Sequence, residues 1–292
     1  MLKSKIRFIL NPFSGPRKNI DIVSLIEAQI DHKKIDPEII YTTHPRHAIE
    51  LSREAVSLNY FAVVAVGGDG TINEVASVLK DTKIALGIIP FGSGNGFSYH
   101  LGIRRNIIKS INIINNLNKI CIDTAMMNDE FFINVAGLGL DAKVAFVTKK
   151  NQTRGFLPYF IQTLKEIKGF KFMKMDLKIP SLEWSGEYAM VAIANGSMYG
   201  YDFSIAPKAQ MNDSLFDVVL IKKVPVFRYF GLAIRMIFRT LDKSSIVEYL
   251  NCSELQIRTS DAEFYHVDGE GHISNTFEYN FKIFPSSLYL LT

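Results

Sequence analysis

The stretches GGDGTINEV (residues 67–75) and PFGSGNGF (residues 90–97) lie close together in the chain and decide its fold. Each follows a short apolar run that predicts a buried strand, 61–66 before the first and 84–89 before the second, and each precedes a predicted helix. Glycines let the backbone approach an anion, and a helix start offers N–H groups and the positive end of its dipole. Two such turns predict a ligand with several phosphates, hence a nucleotide.

Within the first stretch, Thr71 and Glu74 have the spacing of a capping box, which predicts a helix that begins just beyond Gly70. Asp69 then lies in a loop at the carboxyl end of a strand, where open α/β sheets bind ligands. A carboxylate beside phosphates indicates a cation, so Asp69 predicts Mg²⁺ or contact with a substrate hydroxyl. The alternative is that these glycines serve only tight turns. The presence of two such turns at successive strand ends disfavours this alternative. No Gly-Lys-Ser/Thr follows, so this is not a P-loop.

The first part of the chain alternates strands with helices, a pattern that predicts a parallel sheet covered on both faces. We place this α/β nucleotide-binding domain at residues 1–122, with a return of the chain at about 286–292. The predicted strands are 6–10, 38–41, 61–66 and 84–89, and the predicted helices are 21–30, 47–58 and 106–117.

After residue 122 the pattern changes to short strands, which predict a β-rich antiparallel sandwich over residues 123–285. A hairpin joins 121–127 to 131–135 through residues 128–130, and a polar insertion at 149–155 precedes a helix at 157–167. The further predicted strands are 172–179, 188–194, 216–222, 253–258, 263–267 and 277–284.

Composition bounds the class of protein. The chain has 292 residues, 48% of them hydrophobic and 21% charged, with a formal net charge of +4. A charge this small is compatible with anionic membranes or nucleotides and does not favour nucleic acid. Its two cysteines are too few for a disulfide framework or a zinc site. The cysteine content therefore predicts a protein of the reducing cytoplasm. The amino terminus does not resemble a signal peptide, and no apolar run has the length of a membrane span.

Several motifs together resemble the diacylglycerol kinase catalytic-domain family, the bacterial lipid kinases related to sphingosine and ceramide kinases. They are the start NPFSG (11–15), both glycine-rich stretches, the run LGI (101–103) and the late DGE (268–270), in the family's order. APKA (206–209) followed by Asp213 is a weaker match. GGDGT also occurs in NAD kinases, and the combination with NPFSG and DGE selects lipid kinases.

The resemblance implies a phosphofructokinase- and NAD kinase-like first domain and a lipid-substrate second domain, with ATP and Mg²⁺ as cofactors. It implies transfer of the γ-phosphoryl group to a hydroxyl of a membrane lipid such as diacylglycerol, with Asp69, Asp268 and Glu270 as catalytic residues. Either Glu270 or Asp69 is the base. The residues expected to bind the nucleotide are Asn11, Gly67, Gly68, Gly70, Thr71, Gly92, Ser93, Gly94 and Asn95.

Alternation predicts that Asp268 and Glu270 lie on the same side of an extended segment, with Gly269 allowing close approach. Paired carboxylates can divide the work, one orienting a cation or a lysine and the other accepting the hydroxyl proton. A solvated turn with two acids is the alternative. The flanking His266 and His272 have a spacing that metal ligands can take, but glycines interrupt the strand there.

The resemblance also implies a structural Mg²⁺ held by the carboxylate of Asp213 and the backbone carbonyls of Gln210 and Leu215. The alternative for this segment is a plain turn. The family usually has glycine where this chain has Ser214. Arg17 and Lys18 follow the NPFSG turn. They are expected either to contact phosphates of the nucleotide or to be solvated charges of the loop.

The identity of the lipid stays open. Many bacterial relatives carry Asp and Arg where this chain has Gly96 and Tyr99, which brings the pattern closer to sphingoid-base kinases. A soluble NAD kinase-like enzyme and a non-catalytic homologue that binds lipid or nucleotide are further alternatives, and a homodimer stays open.

A bilayer substrate predicts peripheral association with the inner face of the membrane. Segment 225–243, aromatic and arginine-containing, suits an interfacial helix or, alternatively, a helix packed on the sandwich.

Overall fold

A computed structural model describes residues 3–15, 21–92, 94–151, 156–167, 169–261 and 263–292. The chain forms two compact units. The first comprises Met1–Asp123 and Pro285–Thr292, and the second comprises Thr124–Phe284.

The first unit contains a parallel sheet, as the alternating pattern predicts. Its strands are β1 (Ser4–Leu10), β2 (Ile35–Tyr41), β3 (Ala62–Gly67) and β4 (Ala85–Pro90), in the spatial order β2-β1-β3-β4. The end of the C-terminal strand β15 (Glu278–Leu291) runs parallel to β4, where Leu290 pairs with Leu86. The helices are α1 (Ile22–Gln29), α2 (His47–Ser57), α3 (Asp69–Leu79), α4 (Gly96–His100) and α5 (Ile107–Asn116).

The sheet forms because its central strands have no polar side chains to expose. Every residue of β3 and β4 is buried, as expected of parallel strands covered on both faces. Helix α5 adds an apolar stripe of Ile107, Ile111 and Ile114 to the core of this unit. Asp21 and Asn106 cap α1 and α5, since each side chain accepts a backbone N–H three residues on.

The start of α3 differs from the prediction. The helix begins at Asp69, with Gly68 as its extended N-cap, so Thr71 lies in the first turn and the predicted capping box is wrong. The Oγ1 atom of Thr71 instead accepts a hydrogen bond from Asn11 Nδ2 at 3.0 Å. This tertiary contact occupies the oxygen that a local cap would have used.

The second unit is an antiparallel β-structure. Its hairpin of β5 (Lys119–Met127) and β6 (Glu130–Phe132) confirms a predicted turn, although the loop has only two residues. The other strands are β7 (Val135–Gly139), β8 (Met173–Ile179), β9 (Leu182–Ala194), β10 (Phe216–Lys222), β11 (Val247–Cys252), β12 (Glu254–Thr259), β13 (Phe264–Val267) and β14 (Glu270–Ile273). The helices are α6 (Leu140–Lys150), α7 (Phe156–Ile167) and α8 (Phe230–Ile237).

The long strand β9 changes its partners along its length. Its first half pairs with β8, and its second half pairs with β7 and β10. Alternate residues of β9 and β10 point to opposite sides: Val191 and Val218 enter the sandwich core, whereas Ala192 and Val219 face a second cluster with α6 and α8. Both faces of β10 and of the second half of β9 are therefore buried, which explains the continuous apolar sequence of these segments.

Candidate active site

The two glycine-rich turns are neighbours at one edge of the parallel sheet. Strands β3 and β4 pair along their whole length, and the last pair is Gly67 with Pro90. The carbonyl of Gly67 accepts hydrogen bonds from the backbone N–H groups of Phe91 at 2.7 Å and Gly92 at 3.1 Å. The turn after β4 is therefore fixed to the turn after β3 through the backbone.

Glycine is required where these turns meet. A Cβ atom added to Gly92 would lie 2.5 Å from the Cα of Gly68, and one added to Gly68 would lie 3.3 Å from the Cα of Gly92. A Cβ on Gly67 would come within 2.6 Å of the Thr71 hydroxyl. Backbone therefore forms the surface of both turns, the arrangement that lets a phosphate approach N–H groups.

Asp69 is the first residue of α3 and lies between the two turns. Its Oδ1 atom accepts the backbone N–H of Phe97 at 3.4 Å, and its Oδ2 atom lies 3.3 Å from the position of a Cβ on Gly94. The N–H groups of the first helical turn have no partner within a helix and are directed out of its start. An acid thus lies at a helix start, a place whose free N–H groups suit an anion.

Asn95 shapes the second turn from inside. Its side chain is fully buried, accepts the N–H of Gly92 at 3.1 Å and donates to the carbonyl of Gly92 at 2.8 Å. Its backbone has a φ of +55°, a left-handed conformation that asparagine tolerates better than most residues. The structure therefore uses this amide to hold the turn, and a direct contact of Asn95 with a nucleotide stays a prediction.

The NPFSG turn after β1 packs against the same region. Asn11 accepts the N–H of Phe13 and donates to Thr71, so its side chain connects this turn to α3. Gly15 has a φ of +74°, and a Cβ there would lie 1.9 Å from the carbonyl oxygen of Phe91. Three strand ends thus bring together all the described residues that the sequence assigned to the nucleotide. Ser93, Arg17 and Lys18 lie outside the described residues.

The DGE motif in the second unit is a tight hairpin and not the predicted extended segment. Val267 pairs with Glu270, so Asp268 and Gly269 form a two-residue loop with φ values of +47° and +85°. An Asp-Gly pair favours this type I′ hairpin turn. The prediction that Asp268 and Glu270 share one side of a strand is therefore wrong.

The two acids of the motif have different surroundings. The carboxylate of Asp268 accepts the backbone N–H groups of Ile133 at 3.1 Å, Asn134 at 2.9 Å and Val135 at 3.1 Å. Glu270 is exposed and pairs with Lys149 of α6 at 3.1 Å. Asp268 fixes the chain before β7, whereas Glu270 lies at the surface beside Lys149.

A buried polar network that the sequence reasoning missed lies under this hairpin. His266 Nε2 lies 3.0 Å from Asp141 Oδ2, and the Tyr199 hydroxyl donates to the same oxygen at 2.6 Å. Asp141 Oδ1 accepts the N–H of Ala142 at 2.8 Å. This network connects α6 to β13, and no sequence spacing relates its residues.

The helix α6 also packs very closely against β14. A Cβ on Gly271 would lie 2.2 Å from the backbone nitrogen of Phe146, so only glycine fits there. His272 stacks on the ring of Tyr265 at 5.1 Å, whereas His266 is buried against Asp141. The two histidines therefore have separate partners, Asp141 for His266 and Tyr265 for His272. These contacts account for both side chains without a shared metal ion.

The expected metal ligands Gln210, Asp213 and Leu215 share one loop before β10. Asp213 accepts the N–H of Leu215 at 3.1 Å, and Ser214 has a φ of +65°. Serine thus adopts the left-handed conformation that glycine takes at low cost, so the departure from the family's residue leaves this turn possible. Burial, together with the nearby charge of Asp213, raises the pKa of Asp217.

The donor set of this loop suits a hard cation. A carboxylate oxygen and backbone carbonyls are the ligands that Mg²⁺ and Ca²⁺ prefer. The paired turns of the first unit likewise suit phosphates, since backbone occupies the space that side chains would fill. The residues therefore fit both a nucleotide and a divalent ion.

Two family models match successive parts of the chain. Residues 5–127 match the model of the diacylglycerol kinase catalytic domain, and residues 134–292 match that of the YegS C-terminal NAD kinase beta sandwich-like domain. A diacylglycerol kinase of Bacillus subtilis is 26% identical over 271 residues, which cover 91% of this chain and 89% of the relative.

Solved structures agree on the fold. A diacylglycerol kinase from Bacillus anthracis superposes with a TM-score of 0.77 at 19% identity, covering 99% of this chain and 96% of that one. An NAD kinase from Archaeoglobus fulgidus, solved in complex with ATP, gives a TM-score of 0.55 at 13% identity, covering 99% and 93%.

The parallel α/β unit with paired strand-end turns, followed by an antiparallel sandwich, is the fold that this chain shares with those two solved structures. Within that fold, the chain belongs to the diacylglycerol kinase family, since the two family models match nearly its whole length. The predicted fold and the predicted class of enzyme, a lipid kinase, are confirmed.

Proposed function

We propose that this protein transfers the γ-phosphoryl group of ATP to a hydroxyl of a membrane lipid such as diacylglycerol. The observation that carries the proposal is the contact of Gly68 with Gly92, which makes one backbone-lined site from two strand ends, with Asp69 beside it. The name of the Bacillus subtilis relative, a diacylglycerol kinase, supports the choice of lipid.

In this proposal the first unit binds the phosphates of ATP. The N–H groups at the start of α3 and along the turn of Gly92 and Gly94 hold the phosphate oxygens, while Asn11 and Asn95 keep the turns in place. When bound, Mg²⁺ offsets the negative charge of the phosphates. We assign Asp69 to hold that Mg²⁺ or to contact the lipid hydroxyl.

Glu270 is the residue that we assign as general base. Its carboxylate is exposed, and its only described ion pair is with Lys149, an exposed side chain that can move away. Asp268 has three backbone donors and is better suited to hold the hairpin than to accept a proton. In this proposal the proton of the lipid hydroxyl passes to Glu270 while the new O–P bond forms and the bond from the γ-phosphorus to the bridging oxygen breaks, which leaves ADP.

The proposal extends to location and to a second ion. A kinase that uses ATP and a bilayer lipid works at the cytoplasmic face of the membrane, as a peripheral protein. No helix in the described part of the chain is both long and apolar enough to cross a bilayer. The structural Mg²⁺ is assigned to Asp213 with the carbonyls of Gln210 and Leu215.

Transfer of radiolabelled phosphate from ATP tests the function. The acceptors are micellar diacylglycerol, monoacylglycerol, phosphatidylglycerol and a sphingoid base, with NAD as the soluble alternative suggested by the NAD kinase fold. We expect labelling of a micellar lipid that requires Mg²⁺. Labelling of NAD alone would favour the soluble enzyme, and ATP binding without turnover would indicate a non-catalytic homologue.

The variants Asp69→Asn and Glu270→Gln test the assigned residues. Each is expected to lower turnover by at least about 100-fold, the usual scale for groups that transfer protons or orient charge. The matched control is Glu254→Gln, because Glu254 is also an exposed glutamate with one lysine partner, Lys282 at 3.8 Å. Near-normal turnover of Glu270→Gln would exclude it as the base and leave Asp69.

A further inference from the structure

One helix of the second unit is apolar on both sides. On its inner side, Leu232 is 6% exposed and packs into the cluster beneath β9 and β10, with Met236 and Tyr229 against the same cluster. On its outer side, Ile234 and Ile237 are 59% and 52% exposed. A surface helix normally carries polar residues on its outer side, so this one indicates a contact with something apolar.

Exposed apolar residues concentrate in this segment. Phe227 in the 3₁₀ turn before α8 is 71% exposed, and Phe238 at its C-cap is 72% exposed. Among the residues whose exposure is described, four of the fifteen large apolar side chains on the surface lie within residues 227–238. Single exposed apolar residues are ordinary, whereas a cluster of four marks an interaction site.

The segment is held in place by backbone and side-chain bonds. The Tyr229 hydroxyl donates to the carbonyl of Lys222 at 3.0 Å and accepts the N–H of Val224 at 3.1 Å. At the other end, the N–H groups of Arg239 and Thr240 bond to the carbonyls of Met236 and Arg235, which closes the helix in a Schellman motif. The exposed side chains therefore project from an anchored element.

The same segment is positively charged. Residues 225–241 contain three arginines and no acidic residue. Arg228 and Arg235 donate to the neutral oxygens of Ser245 and Thr240, and Arg239 pairs with Asp202 at 3.2 Å. Guanidinium groups beside aromatic rings are typical of surfaces that contact lipid headgroups while apolar side chains enter the acyl region.

We propose that this surface docks on an anionic lipid bilayer, and we call it the α8 face. It consists of Phe227, Arg228, Ile234, Arg235, Ile237, Phe238 and Arg239. The charge favours an anionic bilayer over a second copy of this chain, because two copies would bring three arginines of each together. The helix has eight residues and is too short to span the bilayer, so it lies at the interface. The inference rests on the proposed function, since a bilayer substrate requires such a surface.

Vesicle sedimentation without ATP tests the inference apart from catalysis. The vesicles are phosphatidylcholine alone and an equal mixture of phosphatidylcholine and phosphatidylglycerol. We expect binding to the mixed vesicles that weakens with salt, because surface charge is screened over about 8–10 Å near physiological ionic strength. A protein that binds vesicles without phosphorylating lipid would overturn the proposed function and retain the α8 face.

Two sets of variants locate the surface. Joint replacement of Arg228, Arg235 and Arg239 by Gln, and of Phe227 and Phe238 by Ser, should each lower binding to mixed vesicles by at least about tenfold, since one arginine near an anionic surface is worth about fivefold. The matched controls replace Lys174, Lys178 and Lys282 by Gln, or Leu182 and Phe277 by Ser, which are comparably exposed. Unchanged binding of folded α8 variants would overturn the proposal. Loss of a dimer with unchanged vesicle binding would assign the face to a second copy.

A fluorescence measurement covers the case in which the serine variant does not fold. The chain has one tryptophan, so Phe238→Trp in a Trp184→Phe background reports from the α8 face alone. We expect a blue shift, and quenching by brominated lipid, on mixed vesicles. Phe277→Trp in the same background is the control and should show neither. Equal quenching at both positions, or at neither, would overturn the proposal.

Discussion

Burial of a single charged side chain costs desolvation free energy, and hydrogen bonds from neighbouring groups offset that cost in this fold. Arg7 lies in β1 with 1% exposure, yet its guanidinium bonds to Glu38 at 2.5 Å, to Glu54 at 2.9 Å and to the carbonyl of Leu51 at 2.8 Å. Removal of one partner from such an arrangement is destabilising, because the desolvated groups lose their hydrogen bonds. A charged residue in a predicted strand is thus compatible with a buried position when its partners come from β2 and α2.

His100, the last residue of α4, is predicted to make stability dependent on pH. Burial lowers its pKa from 6.5 to about 4. Between these values the unfolded chain binds a proton that the folded chain excludes, so stability falls as the pH falls below 6.5 and the loss is complete below about 4. We expect His100→Gln to lose less thermal stability than the wild type between about pH 7 and about pH 5.

Melting temperatures measured across this range test the assignment. His32→Gln is the control, since His32 is an exposed histidine of the same unit. An equal acid-induced loss in the wild type and in His100→Gln would show that another group is responsible.

At the scale of elements, the hairpin of β13 and β14 shows how one acid can order a neighbouring strand. Asp268 initiates the turn and also accepts three N–H groups from residues 133–135, where the chain enters β7. The backbone N–H of Asp268 in turn bonds to the carbonyl of Val135 at 2.9 Å. Asp268 therefore holds both the turn between β13 and β14 and the segment that leads into β7.

We predict that Asp268→Asn lowers the free energy of unfolding by about 1–3 kcal/mol, the cost of leaving a buried donor unsatisfied. Asparagine keeps the turn conformation but presents an N–H₂ group to a backbone donor. Asp129→Asn is the matched control, because Asp129 occupies the exposed two-residue turn between β5 and β6. Denaturant unfolding measures both. Equal stabilities would mean that the three bonds contribute little.

The success of sequence reasoning differed between elements for physical reasons. Strands β3 and β4 were predictable because each is a short continuous apolar run, and helix α5 was predictable because its apolar residues recur at helical spacing. Helix α6 was missed: its buried side includes Asp141, Ala142 and Ala145, which give little apolar periodicity. The turn at Asp268 and Gly269 was within reach, since Asp-Gly is a strong hairpin pattern. The capping box at Thr71 failed because a contact with Asn11 cannot be seen locally.

In the candidate site, too, the sequence predicted local features and did not predict tertiary contacts. Both glycine-rich turns were assigned from the sequence because their chemistry is local. The partners of Asp268, Glu270 and His266 come from residues 133–149, and no spacing in the sequence relates them. Side chains that act through tertiary contacts therefore became visible only with the structure.

At the scale of the whole molecule, we predict that Mg²⁺ stabilises the protein through Asp213. A ligand that binds only the folded state at 100 times its dissociation constant adds about 2.7 kcal/mol. The melting temperature of the wild type should therefore rise with Mg²⁺, and Asp213→Ala should lose this rise together with part of the activity. Asn212→Ala, at the exposed neighbouring position, is the control. An identical Mg²⁺ response in wild type and Asp213→Ala would exclude the ion from this loop.

The C-terminal strand has a consequence for biosynthesis. Residues 278–282 of β15 pair with β12 in the second unit, and Leu290 of the same strand pairs with β4 in the first. The ribosome makes residues 285–292 only after the entire second unit, so β4 emerges long before its neighbour. Until then the apolar strand Ala85–Pro90 has an open edge, the kind of edge that other chains can pair with. A nascent chain that stalls before residue 285 should therefore depend on chaperones to remain unaggregated.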